Sequence, residues 1–172
     1  MRSILRITKT ELRILFYSPV AWLVLIVFAL QAGIAFCANF TDELRSQALG
    51  YALYTPTASV FCGLGGVVTQ MLDYLYLYIP LLTMGLMSRE LGSGSIKLLY
   101  SSPVSNMQII AGKYLSMAIY SLGFVLVLLL QAALGLFAIK DVEITAVLVA
   151  VLGLYLTVCA YAAIGLFMST IT

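Results

Sequence analysis

Four long apolar runs divide the chain, and its polar residues gather between them. The first is Val20 to Ala38, VAWLVLIVFALQAGIAFCA, and the second is Val67 to Met87, VVTQMLDYLYLYIPLLTMGLM; the third covers 114–138 and the fourth 146–168. The last two hold no Asp, Glu, Lys or Arg, each of which costs roughly 2.5–3.5 kcal/mol at a bilayer centre. About 20 apolar residues in a helix cross a hydrocarbon core of about 30 Å, so each run predicts one transmembrane helix. The runs are too uniformly apolar for barrel strands, and lipid offers backbone groups no other partners. The expected fold class is therefore all-α integral membrane, one membrane domain over 1–172. A fifth apolar piece, Pro56 to Val68, is broken by Gly63, Gly65 and Gly66. It is expected as an outer-side interfacial or re-entrant element leading into the second span.

Composition agrees, with 63% hydrophobic and 9% charged residues in 172 and a mean hydropathy of +1.09, against roughly 25% charged in soluble domains. No length remains for a large extramembrane domain. A net charge of +2 gives nucleic acid little to bind, and the placement of the charges is more informative. Arg2, Arg6, Lys9 and Arg13 precede the first span, and Arg89, Lys97 and Lys113 lie in the segment 88–113 between the second and third. The other connections carry only Arg45 and Lys140, beside Asp42, Glu43, Asp141 and Glu143. The positive-inside rule puts both basic segments in the cytoplasm, with the amino terminus and Thr172 inside; the expected location is the inner (plasma) membrane. The run to Ala38 exceeds a signal-peptide core of about 7–15 residues, so it is read as an uncleaved span.

Residues 1–17 carry a second pattern. Arg2, Arg6, Lys9 and Arg13 fall on one helical face, and Ile4, Leu5, Ile7, Leu12, Ile14, Leu15 and Phe16 occupy a broad opposite arc, interrupted by Glu11. The pattern predicts an amphipathic interfacial helix, with the four basic residues as a membrane-surface anchor and a turn at Ser18-Pro19 into the first span. A merely topogenic basic cluster is the plainer reading. Tyr17 and Trp22 suit an inner aromatic belt; Tyr74, Tyr76 and Tyr78 suit an outer one.

Catalytic chemistry lacks parts. There is no histidine, which removes His-dependent hydrolases and His metal sites, and Cys37, Cys62 and Cys159 lack ligand spacing and read as small hydrophobes, a disulfide between Cys37 and Cys62 on an oxidising outer side being the lesser alternative. The possible intramembrane polar sites are Asp73, Gln31 and Gln131. An ionisable residue in a span is a transport candidate by default, yet Asp73 lies within about two turns of its helix end, and the glutamines suit interhelical hydrogen bonds. Ala162, Gly165 and Ser169 form a small-residue face for close helix contact.

The segment SRELGSGSIKLLYSSPVSNMQIIAGKY, Ser88 to Tyr114, mixes charge, glycine, serine and proline between two apolar runs. Ser105 and Gln108 have capping-box spacing, which starts the third helix near Asn106. Before Pro103, Ile96, Leu99 and Tyr100 share one face of a short amphipathic helix. At under two turns it is stable only when docked on something: lipid headgroups, its own bundle or a partner.

Glu90, Gly94-Ser95, Leu98-Leu99, Ser102-Pro103-Val104-Ser105 and Gly112-Lys113 together resemble the loop of ABC-2-type transporter permeases of the gliding-motility and related exporter kind. The resemblance implies a permease subunit whose loop carries a coupling helix seated on a separate cytoplasmic ATP-binding-cassette ATPase. The coupling residues would be Glu90, Gly94, Ser95, Ile96, Leu99, Tyr100 and Pro103. A second permease subunit, identical or not, would complete the export path. ATP and magnesium belong to the ATPase, so this chain is expected to bind no cofactor and to be no enzyme; it has no phosphate-binding G-x-x-x-x-G-K-[ST] motif. Leu91, Gly92 and Lys97 depart from the family's charge pattern. The family has six spans, which implies that 1–172 is the front part of a longer permease. The alternative is a four-helix protein that anchors or assembles partners through the same loop without transport.

Overall fold

In the computed structural model, residues 2–50, 57–93, 105–138 and 143–171 are described, and among them the only regular structure is helical. The order is α1 (Arg2–Tyr17), α2 (Pro19–Ala48), a π-helical turn (Ala58–Cys62), α3 (Val67–Ser93), α4 (Asn106–Ala138) and α5 (Ile144–Ile171). Among the described residues, four segments are long and apolar enough to cross a membrane: Pro19–Ala48, Ser59–Thr83, Asn106–Gly135 and Ile144–Ser169. The protein is thus all-helical, with four candidate spans among the described residues.

The helices outrun the apolar stretches that predict them. α2 continues past Ala38 through Asp42, Glu43 and Arg45, α3 continues past Met87 through Arg89 and Glu90, and α4 begins two turns before Tyr114. Helical hydrogen bonds are local, so a helix leaving lipid has no reason to stop until its sequence breaks it. Ser105 supplies the start of α4, its carbonyl accepting from the amides of Gln108 (2.9 Å) and Ile109 (3.3 Å). Of the apolar piece, residues 57–68 comprise the π-helical turn, the bend Gly63–Gly66 and the first residues of α3, with Gly66 N donating to Gly63 O at 2.8 Å.

The helices distribute into two compact units. One comprises Met1–Val24, Tyr76–Leu122 and Val158–Thr172. Its centre is α1 against the first half of α4, with Leu15, Ala21, Met117 and Tyr120 buried. The small-residue face of α5 closes on α3 here: Ala162 is buried, and a side chain at Gly165 would run into Thr83.

The other unit comprises Leu25–Leu75 and Gly123–Thr157. Aromatic rings fill it: Phe28 and Phe124 lie 4.7 Å apart between centroids, and Phe36 and Phe61 5.6 Å. The π-helical turn is held by polar contacts at its edge. Ser59 and Gln47 donate to the Glu43 carboxylate, and Thr57 Oγ1 accepts from the Glu143 amide at 3.2 Å.

Candidate functional site

The best-formed polar constellation among the described residues joins α1 to α4. Four of the buried positions of α1 and its exit are Thr8, Glu11, Leu15 and Ser18, spaced three and four apart, so they share one face. Glu11 Oε1 accepts a hydrogen bond from Lys113 Nζ at 2.8 Å, and the two side chains are 9% and 1% exposed. One turn earlier the Thr8 hydroxyl lies 2.9 Å from Ile4 O and 3.2 Å from Gly112 O and can donate to either. Gly112 is required by this approach: a Cβ there would stand 2.7 Å from Ile7 Cγ2.

A second grip lies further along α4. Tyr120 OH donates to Ala21 O at 2.6 Å in the first turn of α2, and its ring meets Phe16 edge-on at 6.1 Å. Pro19 has no amide to continue the α1 ladder. Ser18 N donates to Leu15 O at 3.0 Å, and Trp22 Nε1 donates to Phe16 O at 2.7 Å. The turn at Ser18-Pro19 is thereby supplied with hydrogen-bond partners.

The basic residues face elsewhere. Arg6, Lys9 and Arg13 are exposed, and the Arg13 guanidinium lies 5.6 Å from the centroid of the exposed Tyr17 ring. Arg2 belongs to α1, but its side chain is outside the described residues. Leu5, Ile14 and Phe16 remain exposed on the flanks of the buried face. The middle of the apolar arc is thus covered by protein and its edges are open, which accounts for Glu11.

The intramembrane candidates do not form a common site. Asp73 is exposed in the second turn of α3, Gln31 is half-buried on α2, and Gln131 is buried on α4. The Gln131 Oε1 atom has no hydrogen-bond partner among the described residues, and its Nε2 lies 4.0 Å from where a Gly33 Cβ would be. Tyr78 is buried, whereas Tyr74 and Tyr76 are exposed as belt residues would be. The three cysteines are free thiols, with Cys62 Sγ 3.6 Å from Ala146 O. No group of His, Cys, Asp and Glu among the described residues could hold a metal ion.

Of the proposed coupling residues, Gly94, Ser95, Ile96, Leu99, Tyr100 and Pro103 lie outside the described residues. Glu90 falls within α3, its side chain outside them. The constellation that the structure does describe was only half visible in sequence. Glu11 reads there as a flaw in an amphipathic arc, and Lys113 as one more cytoplasmic charge. Their pairing could have been sought from the coincidence of one acid in an apolar arc with one lysine at the edge of a charge-free run.

A family model described as ABC-2 family transporter protein matches residues 5–172. No curated protein and no solved structure matches.

Proposed function

The chain belongs to the ABC-2 family of transporter proteins, and from that membership we propose that it is the permease subunit of an ATP-binding-cassette exporter, driven by a separate cytoplasmic ATPase. It is a multi-pass transmembrane transport component. The observation that carries the reading is the family match across 5–172, together with four helices able to span a bilayer. In this reading the loop between α3 and α4 docks on the ATPase through Ile96, Leu99 and Tyr100, with Glu90, Gly94, Ser95 and Pro103 shaping the approach. A second permease subunit completes the path. The amino terminus is cytoplasmic in the inner membrane, and Arg2, Arg6, Lys9 and Arg13 rest on anionic headgroups. ATP and magnesium are bound by the ATPase.

Burying each of the three apolar loop side chains would contribute roughly 1.5–3 kcal/mol, against about 0–1 kcal/mol for an exposed pair made by Lys97. Apolar substitutions should therefore dominate. In the full-length permease, Leu99→Ala and Ile96→Ser are expected to release the ATPase in pull-down and to abolish permease-dependent ATP hydrolysis in proteoliposomes, while Lys97→Ala changes little. If both apolar variants capture and stimulate the ATPase like wild type, the loop is not the coupling element, and a non-transporting anchor becomes the better account.

A further inference from the structure

We infer that Glu11 and Lys113 are positioning residues: their buried ion pair fixes the register of α1 on α4, so that α1 and the first half of α4 form one rigid arm at the end of the coupling loop. The inference rests on the permease reading for what the arm serves, and on the geometry of one compact unit for its existence.

The first ground is the cost of the pair. Removing two charges from water carries a penalty that their attraction often only matches, and apolar residues of similar volume commonly hold two helices together as well or better. Adhesion alone would be served by leucine and methionine. A pair made at 2.8 Å, with its lysine 1% exposed, adds what apolar contact lacks, a single permitted alignment. The second ground is that the alignment is specified again on the neighbouring turn. Gly112 admits Ile7, which a side chain there would force to shift, and in this register the Thr8 hydroxyl lies 3.2 Å from the Gly112 carbonyl. The third ground is position. α4 begins at Asn106, directly after the loop, and Lys113 stands seven residues further on, about 10 Å along the axis at 1.5 Å per residue. Tyr120 makes the second attachment, to Ala21 O. A displacement of the loop that turns the base of α4 must therefore carry α1 with it.

α1 also has reason to need such a clamp. Its charged and apolar edges, Arg6, Lys9, Arg13, Leu5 and Ile14, are exposed. A helix held only by those edges would be free to slide in a membrane surface. The polar contacts at Thr8 and Glu11 remove that freedom.

The experiment uses the full-length permease in proteoliposomes with its ATPase and compares Glu11→Gln, the charge exchange Glu11→Lys with Lys113→Glu, and the apolar pair Glu11→Leu with Lys113→Met. Docking of α1 is read by the rate of tryptic cleavage after Arg6, Lys9 and Arg13, binding by pull-down, and coupling by the stimulation of ATP hydrolysis over the ATPase alone. Glu11→Gln is expected to speed cleavage severalfold or more and to lower stimulation severalfold, with the ATPase still captured. The charge exchange should recover both in large part. The apolar pair should recover expression and melting temperature but neither cleavage protection nor stimulation. Recovery of all readouts by the apolar pair, or no change in Glu11→Gln, would overturn the inference. Should the wild type fail to capture or stimulate the ATPase, the permease reading falls separately. The cleavage arm then decides the register claim without it: rescue by the charge exchange and not by the apolar pair upholds the claim, and equal rescue by both defeats it.

Discussion

Glu11 and Gln131 are both polar side chains sunk among apolar neighbours, and the chain treats them differently. Glu11 is met by an ammonium group, and the turn around it is fixed by polar geometry. Gln131 leaves its carbonyl oxygen without a hydrogen-bond partner among the described residues, and its unit is filled by aromatic rings. A buried ion without a counter-charge is far more costly than a buried amide with one unmet acceptor, about 1–3 kcal/mol for the latter. The first site therefore dictates how two helices align, whereas the second can be carried by good contacts elsewhere.

The contrast is broken most severely by removing the counter-charge from Glu11. Lys113→Ala strands a buried carboxylate and should lower stability by about 3–5 kcal/mol, read as a large fall in melting temperature in detergent or a failure to accumulate. A melting temperature within a degree or two of wild type would mean that Glu11 is not buried as an ion. A smaller loss is expected from Gly112→Ala, whose methyl would meet Ile7 Cγ2 at 2.7 Å, at about 1–3 kcal/mol of overpacking. Adding Ile7→Ala should return part of that loss; no recovery would place the strain somewhere other than this contact. The smallest effect belongs to the other site. Gln131→Leu removes an oxygen that makes no hydrogen bond among the described residues, so stability should stay within about 1 kcal/mol of wild type or rise. A clear fall would reveal a polar partner for Gln131 in the assembled membrane protein.

The spans were legible in the sequence because lipid imposes one strong rule, a long apolar run with almost no charge; 20–38, 114–138 and 146–168 carry none, and 67–87 carries only Asp73, near its outer end. The ends of the helices were less so. Hydropathy marks where lipid stops, not where helical hydrogen bonding stops, which is how α2 reaches Ala48 and α3 reaches Ser93. The start of α4 was signalled by a local motif, Ser105 and Gln108, and a local motif needs no knowledge of the fold. The Glu11–Lys113 pair joins residues 102 positions apart. No periodicity connects such positions, and each member has a sufficient explanation by itself, one as a blemish and the other as a topological charge. Gly112 was noticed only as part of a family pattern; its reason, the approach of Ile7, belongs to tertiary structure.

Trp22 is the only tryptophan in the chain, and it sits on the turn between α1 and α2 with its indole nitrogen 2.7 Å from Phe16 O and its ring edge-on to Phe16 at 6.1 Å. The elbow thus contains its own optical reporter. Indole emission responds to hydrogen bonding and to nearby rings, so any departure of α1 from α4 that strains the turn changes the emission of Trp22, with no label attached.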